Sequence, residues 1–201
     1  MEAKVRGEVA RAAECLLSGG VVLLPTDTVY GLAVHPEQDK AITRLFAMKG
    51  RPRSVNLPVM ISSRHDIPAL GGVVNASAEL LIESKYVPGP LTLAVGVSPP
   101  NLAPWLRGRE EFAVRIPNDE RLLAILRMTG PLLVTSANLH AAEVRESVPD
   151  ILSTLVSEPD LVIDDGNRDT VSSTLVNCRL VPPVVERVGA VPEEEIEAIL
   201  Q

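Results

Sequence analysis

Polar side chains cluster directly after apolar runs at several points of the sequence, and these are the residues that could carry chemistry. The densest cluster, PTDTVYG at residues 25–31, follows the apolar run at residues 21–24. A strand that simply ends in a loop needs a Gly or Pro and a few polar residues. Three hydroxyls and a carboxylate in one turn exceed that need. Further clusters are MKGRPR at 48–53, VRIP around Arg115, TSAN at 135–138 and SST at 172–174.

Three cations stand close together in the second cluster. Lys49, Arg51 and Arg53 surround a glycine and a proline. A cation at a helix C-terminus complements the helix dipole, which would account for Lys49. It does not account for Arg51 and Arg53, which lie beyond the predicted helix end. Since like charges repel, the cluster favours a bound polyanion, and phosphate is the natural one.

The strand-like segment FAVRIP places an arginine between two apolar residues. Arg115 is expected on the face opposite Val114 and Ile116. A solvent-facing arginine is the alternative, just as Ser136 and Asn138 of TSAN could serve as ordinary turn or cap residues. Ligands of open α/β sheets gather at strand ends, so the joint occurrence of these clusters there favours a single site.

Several well-known site motifs are absent from the sequence. It contains no GxxxxGK[ST], GxGxxG, HExxH or GxSxG pattern. The three histidines, His35, His65 and His140, are scattered, and none pairs with a cysteine at metal-ligand spacing. We therefore expect no dedicated metal site, and any activity must come from a different arrangement of residues.

Composition sets the class of protein. The 201 residues are 46% apolar but only 2% aromatic, which suits a single domain, 1–201, with an aliphatic sheet core covered by helices. A net charge of −7 argues against a basic surface over the whole chain and leaves room for a local basic groove. Two unpaired cysteines, and no signal peptide or apolar run of about 20 residues, predict a cytoplasmic protein without a membrane span.

The spacing of apolar residues predicts alternating helices and strands. Because the connections differ in length, we expect a mixed sheet, with mobile loops at 143–149 and 165–172. Helices are predicted near residues 1–17, 42–50, 80–82, 118–126, 149–156 and 192–200, and Asn118 or Asp119 can cap the fourth of them. Strands are predicted at residues 21–24, 57–61, 91–97, 112–117, 131–138 (running into a polar turn), 161–163, 172–177 and 183–189.

Taken together, the motifs resemble the YrdC-type family of L-threonylcarbamoyladenylate synthases. The matching segments, in order between residues 21 and 189, are PTDTVYGLAV, KGRP, PGPLTLAV, FAVRIPND, PLLVTSANL, VIDDG, SSTLV and VERVG. The resemblance implies an α/β, YrdC-like, twisted open mixed sheet with flanking helices around a deep, positively lined cavity, in the short, single-domain form. It also implies a nucleotidyltransferase that converts L-threonine, bicarbonate and ATP to threonylcarbamoyl-AMP and pyrophosphate, for tRNA threonylcarbamoyladenosine modification.

The resemblance assigns roles to individual residues. It implies threonine contacts from Thr28, Arg115, Val134 and Ser173. It implies ATP contacts from Lys49, Arg51, Ser136, Asn138 and Arg187, with Lys49 and Arg51 as the catalytic cations. Because the substrate supplies the nucleophile, such a site needs cations and oriented donors around the phosphoryl group. Mg²⁺ is expected to arrive with ATP, and tRNA-modifying transfer proteins and weak tRNA or double-stranded RNA binding are the implied partners.

Three positions depart from the family pattern. Val55 stands where an ATP contact is usual, Met60 where some relatives have a histidine, and Val144 where a loop hydroxyl is expected. These departures keep two alternatives open. One is a YrdC-like RNA-binding module that uses a local basic groove, although the net charge argues against it. The other is a paralogue acting on a different amine or carbamoyl substrate.

Overall fold

The backbone is organised around a mixed sheet, which the computed structural model describes over residues 3–53 and 55–201. In this part of the chain, the sheet has ten strands. The strands are β1 (Val22–Leu24), β2 (Gly31–Val34), β3 (Val59–Met60), β4 (Gly72–Val73), β5 (Leu91–Val97), β6 (Glu111–Arg115), β7 (Leu132–Ser136), β8 (Leu161–Val162), β9 (Thr174–Asn177) and β10 (Val184–Arg187). The helices are α1 (Ala3–Leu17), α2 (Asp39–Met48), α3 (Asp66–Ala69), α4 (Ala76–Ile82), α5 (Glu120–Thr129), α6 (Val148–Thr154) and α7 (Glu193–Leu200), with 3-10 turns at Pro99–Asn101 and Pro104–Leu106.

The strand order explains why the sheet is mixed. Across the sheet the strands run β10-β9-β5-β6-β3-β7-β2-β1-β8, and β4 pairs with β5. The pairs β1/β8, β3/β6 and β5/β9 are parallel, and the other pairs are antiparallel. Strands joined by a short loop, such as β1 and β2, can pair antiparallel, whereas parallel neighbours need long crossovers. The predicted mixed α/β sheet is confirmed.

Helices cover both faces of the sheet, and β1 shows how the sequence achieves this. Val22 and Leu24 pack with α1 and α5, while Leu23 between them packs with α2 on the opposite face. Side chains alternate along a strand, so a strand buried on both faces must be apolar at every position. This is why residues 21–24 show no alternation between apolar and polar residues.

Strand β2 was missed by the sequence analysis. The PTDTVYG cluster was interpreted as a turn ending in glycine, but Gly31 opens β2 and pairs with Ser136 of β7. A Cβ at Gly31 would lie 2.8 Å from Cγ1 of Val134, so the close approach of β7 requires a glycine. β4 and α3 were also missed, since two to four residues are too few to show a period.

Other boundaries follow from local signals. Asp119, one of the two predicted cap residues, caps α5, and its Oδ1 accepts a hydrogen bond of 2.8 Å from the backbone N–H of Leu122. β5 spans the predicted run, Leu91–Val97. None of the helices in the described ranges has the length and apolar character needed to cross a membrane.

Candidate functional site

The polar clusters of the sequence converge on one cavity of about 120 Å³ at the middle of the sheet. Its walls come from the β1–β2 loop, the turn after α2, the segments around β3, β6 and β7, the strands β5 and β10, and the residues just before β9. Of the predicted site residues, it is lined by Thr28, Arg51, Arg115, Val134, Ser136, Ser173 and Arg187. Lys49 and Asn138 are buried beside this wall and do not line the cavity.

The hydroxyls of the β1–β2 loop bond to one another and to the backbone. Thr26 Oγ1 donates to the carbonyl of Val29 (2.7 Å) and accepts from the N–H of Thr28 (3.1 Å). Thr28 Oγ1 lies 3.2 Å from Thr26 Oγ1. A threonine that bonds its own backbone two and three residues on fixes a tight turn. This turn holds Thr28 against Arg115.

Arg115 is held by three protein acceptors. Its Nε donates to Gly89 O (2.9 Å), Nη1 to Thr28 Oγ1 (2.9 Å) and Nη2 to Asp27 Oδ1 (2.8 Å). The residue is only 6% exposed. A guanidinium has five N–H donors, so about two stay available to a ligand. The side chain is therefore fixed in orientation and can still bind a carboxylate.

Asp27 is the counter-charge of this arginine. Burial lowers the pKa of Arg115, and the neighbouring Asp27 carboxylate opposes that shift. The second carboxylate oxygen of Asp27, Oδ2, is buried and has no hydrogen-bond partner in the described residues. The pair thus keeps Arg115 charged within a wall from which water is largely excluded.

The cavity is positively charged because two further arginines share it. Burial, and then the charge of Arg187, lower the pKa of Arg51, and Arg187 also disfavours the charge on Arg115. Arg187 stays at the more exposed rim, where its Nη2 donates to Ser173 O (2.8 Å). Three arginines that repel one another are stabilised by a bound anion.

The turn at the end of α2 directs the Arg51 side chain into the cavity. Gly50 adopts a left-handed φ of 56°, its N–H donates to Ala47 O (3.1 Å), and the N–H of Arg51 donates to Phe46 O (3.0 Å). These two bonds define a Schellman motif, which favours glycine after the C-cap. The chain then turns, and Arg51 faces the cavity, where its Nη2 also donates to Asn56 O (3.0 Å).

The structure separates the three cations that the sequence grouped. Arg53 does not line this cavity, and its guanidinium bonds the hydroxyl of Thr43 on α2. The hypothesis that all three face one polyanion is therefore wrong for Arg53. The positions of the three side chains depend on the turn at Gly50, which the sequence pattern does not resolve.

Lys49 is buried, with 2% of its surface exposed. Its Nζ donates to the backbone carbonyls of Ser136 and Asn138, and Asn138 Oδ1 lies 3.5 Å away. Burial, with a smaller effect from Arg51, lowers the pKa of Lys49 to about 7. The observed contacts tie the end of α2 to the turn after β7, and a phosphate contact for Lys49 stays a prediction.

Asn138 organises the same turn. Its Oδ1 accepts from Ser136 Oγ (2.6 Å), and its Nδ2 donates to the carbonyls of Leu139 (3.0 Å) and Ala142 (2.6 Å). Asn138 therefore orients the Ser136 hydroxyl at the cavity wall and holds the following loop. Its predicted ATP contact would require a different orientation of the amide.

The sequence analysis assigned no individual role to two side chains that line the cavity, Thr92 and Tyr30. Thr92 lines the cavity, and its Oγ1 lies 2.8 Å from Ser173 Oγ. Tyr30 also lines it, while its hydroxyl donates to Gly166 O (2.6 Å) and accepts from the N–H of Asp165 (3.0 Å), which anchors the loop predicted to be mobile. A polar residue within the apolar run of β5 was the available signal for Thr92.

The positions that depart from the family pattern lie in different places. Met60 lines the cavity. Val55 is exposed, and its carbonyl lies 3.5 Å from Arg51 Nε. Val144 lines a separate surface hollow beside α6.

Within the described ranges, no group of three or more His, Cys, Asp or Glu side chains could hold a metal ion.

Fold and site together define a class of protein. It is a mixed α/β protein whose central cavity combines three arginines with threonine and serine hydroxyls. Such a donor set fits a small ligand that carries carboxylate or phosphate groups.

Comparison with known proteins places the chain within that class. The profile of the Sua5_yciO_yrdC family, described as "Telomere recombination", matches residues 14–189. The threonylcarbamoyl-AMP synthase of Bacillus subtilis is 32% identical over 196 residues, which cover 96% of this chain and 56% of that protein. The crystal structure of Pyrococcus abyssi Sua5 complexed with L-threonine superposes with a TM-score of 0.86 at 30% identity, over 96% of this chain and 57% of that one. Escherichia coli YciO gives a TM-score of 0.80 at 25% identity, over 92% and 91%.

The chain belongs to the Sua5/YciO/YrdC family. It spans about half the length of the B. subtilis and P. abyssi relatives. The predicted family and YrdC-like fold are confirmed.

Proposed function

We propose that the protein is a threonylcarbamoyl-AMP synthase, which makes threonylcarbamoyl-AMP and pyrophosphate from L-threonine, bicarbonate and ATP. The observation that carries this proposal is Arg115, a buried guanidinium held by three acceptors with donors to spare inside the cavity. A guanidinium fork matches a carboxylate with two parallel hydrogen bonds. The similarity to a relative solved with L-threonine supports the choice of substrate.

In this proposal threonine lies at the inner end of the cavity. Arg115 binds its carboxylate, and the hydroxyls of Thr28 and Ser173 are available to its polar groups. Met60 and Val134 provide apolar surface for its methyl group. Both hydroxyls are fixed by neighbours, Thr28 by Thr26 and Ser173 by Thr92. A site oriented in advance in this way loses little entropy when it binds substrate.

ATP takes the more open, cationic part of the cavity. Arg51 and Arg187 supply positive charge for the phosphates, and Ser136 supplies a hydroxyl. Burial, and then repulsion by Arg187, lower the pKa of Arg51, and a triphosphate would relieve that repulsion. Lys49 and Asn138 act in this proposal from behind the wall, by positioning Ser136 and the loop that follows it.

The reaction needs no nucleophile from the protein. The threonine amine takes up bicarbonate as a carbamate with loss of water. A carbamate oxygen then attacks the α-phosphorus of ATP, and the bond to pyrophosphate breaks. The protein contributes orientation of the two substrates and cationic groups where phosphoryl charge develops.

We also propose that Mg²⁺ comes with ATP and has no dedicated protein site. The lining residues in the described part of the chain include no carboxylate. The oxygen ligands that this ion prefers would come from the triphosphate and water. In the same proposal, the product passes to tRNA-modifying transfer proteins.

The test is pyrophosphate release from ATP with bicarbonate and a panel of amino acids. We expect turnover that depends on bicarbonate and is fastest with L-threonine. A faster reaction with serine, glycine or another amine would favour the paralogue. Salt-dependent RNA binding without threonine-dependent turnover would favour an RNA-binding module.

A further inference from the structure

A second cavity, of about 240 Å³, lies on the other face of the sheet. Its lining includes Leu133 of β7, whereas Val134, the next residue, lines the first cavity. Because successive side chains of a strand point to opposite faces, the two cavities are separated by the sheet. They share no lining residue in the described part of the chain. The proposed reaction makes no use of this second cavity.

The second cavity combines an apolar surface with a half-buried cation. The apolar wall is formed by Ile42 and Phe46 of α2 and by Leu57 and Leu133. Trp105 contributes its indole. Arg109 lies among them. Such a lining suits a ligand with an apolar body and one charged end.

Arg109 lacks an acceptor in the part of the chain that the structure describes. Within the described residues, its guanidinium makes no hydrogen bond and no ion pair, and its Nη1 is buried without a partner. Burial lowers the pKa of Arg109, so its charge is kept at a cost. At the rim, the exposed side chains of Asp39 and Arg53 carry opposite charges that offset each other. Arg109 therefore supplies the net charge of the cavity.

From this combination we infer that the second cavity binds a small organic carboxylate with an apolar body. The carboxylate pairs with the Arg109 guanidinium, and the apolar body lies against Trp105 and the side chains of α2. A half-buried guanidinium gains most from a charged acceptor, because a hydrogen bond between ionised groups is stronger than a neutral one. The inference is independent of the proposed reaction, since the two sites share none of the described residues.

The protein contains its own reporter for this site. Trp105 is the one tryptophan in the sequence, so intrinsic fluorescence observes the second cavity directly. Phenylacetate is the probe, phenylacetamide has the same body without the charge, and acetate has the charge without the body. We expect a saturable fluorescence change with phenylacetate, binding weaker by about tenfold or more with phenylacetamide, and little response to acetate.

Two variants localise the binding. Arg109→Gln should lower the affinity for phenylacetate by about tenfold or more, to the affinity that the wild type has for phenylacetamide. Arg107→Gln, at an exposed arginine outside the cavity, should bind as the wild type does. Saturating L-threonine should not displace phenylacetate, whereas displacement would assign the probe to the first cavity and overturn the inference.

The comparison of phenylacetate with phenylacetamide uses only the wild-type protein. It therefore tests the inference even if Arg109→Gln fails to fold. Equal binding of phenylacetate and phenylacetamide to the wild type would show that no cation recognises the ligand, and the inference would be wrong. Unchanged phenylacetate binding by a folded Arg109→Gln protein would overturn it as well.

Discussion

The ammonium group of Lys49 donates hydrogen bonds to the backbone carbonyls of Ser136 and Asn138. In the other direction, the backbone carbonyl of Lys49 accepts from the N–H of His140 (2.9 Å). The end of α2 and the turn after β7 are thus fastened to each other on both sides of one residue. Ser136 lies at the wall of the first cavity, so this fastening sets the position of a residue that we propose contacts ATP.

Lys49→Met tests the structural part of this relationship. Methionine fills a similar length but leaves the two carbonyls without a donor. We expect the free energy of unfolding in urea to fall by about 1–3 kcal/mol, the cost of leaving buried acceptors unpaired. Lys40→Met, at an exposed position of the same helix, is the matched control and should change it by less than about 0.5 kcal/mol. Equal stability of the two variants would contradict the fastening.

The pKa of Lys49 leads to a pH dependence of ATP binding. In the free protein this pKa is about 7, mainly because of burial. A nearby triphosphate favours the charged form and raises the pKa, so ATP binding takes up a proton. The proton is lost again as pH rises, and ATP affinity should weaken several-fold between about pH 6 and about pH 8.5.

Calorimetry in buffers of different ionisation enthalpy measures that proton uptake. ATP titrates in the same range, so the comparison is with Lys49→Met, in which only the contribution of ATP remains. We expect smaller proton uptake and a flatter pH profile for the variant. The same uptake in both proteins would place Lys49 too far from the phosphates to affect them.

Much of the fold could be read from the sequence, and the failures have local causes. The apolar run of β5 and the cap at Asp119 are signals within a few residues, and both predictions held. Strand β2 was missed because Gly31 is a typical turn residue. A glycine is needed at this position because Val134 of a distant strand packs against it. Short-range patterns cannot report a close approach between strands far apart in the chain.

The same limit applies to the site. Arg115 was predicted to lie opposite Val114, and it does, because alternation along a strand is a local rule. The contacts of the Lys49 side chain depend on where the end of β7 lies. The position of the Arg53 side chain depends on the turn at Gly50. Thr92 acquires its partner Ser173, 81 residues later in the chain, from the segment just before β9. Such relationships arise only when the sheet is assembled.

Arg51 and Arg53 form a matched pair for testing the phosphate site. Both arginines follow α2, but Arg51 lines the first cavity and Arg53 does not. We expect Arg51→Ala to lower the rate of pyrophosphate release by about 10²–10³-fold, the loss typical of one charged contact to a transition state. Arg53→Ala should stay close to the wild type. Similar losses in both variants would indicate an effect of overall charge.

Arg115→Lys tests recognition of the amino acid. Lysine keeps the charge but cannot donate in the fork geometry, nor hold Gly89, Thr28 and Asp27 at once. We expect the KM for threonine to rise about 10–100-fold, as for loss of a charged hydrogen bond, while the KM for ATP changes little. Steady-state kinetics with each substrate varied in turn separates the two. An equal rise for both substrates would reject a specific role in binding the carboxylate.

The last prediction concerns the loop after β7. Asn138 orients Ser136 and holds the carbonyls of Leu139 and Ala142. Asn138→Ala frees the loop and the hydroxyl together. ATP should then bind several-fold more weakly, because a neutral hydrogen bond contributes about 0.5–1.5 kcal/mol. Threonine binding should change less, since Arg115 and Thr28 do not contact Asn138.

Val144→Ser is the companion variant, measured in the same ATP titration. It supplies the hydroxyl that the family pattern places in this loop, but Val144 lines a hollow outside the first cavity. We therefore expect ATP affinity within about twofold of the wild type, since a hydroxyl that reaches no phosphate adds no hydrogen bond. Should Val144→Ser tighten ATP several-fold, the loop must move inward when the nucleotide binds, and residue 144 would belong to the site. In that case Asn138→Ala and Val144→Ser combined would show whether the inward position depends on the Asn138 amide: additive effects would mean that it does not.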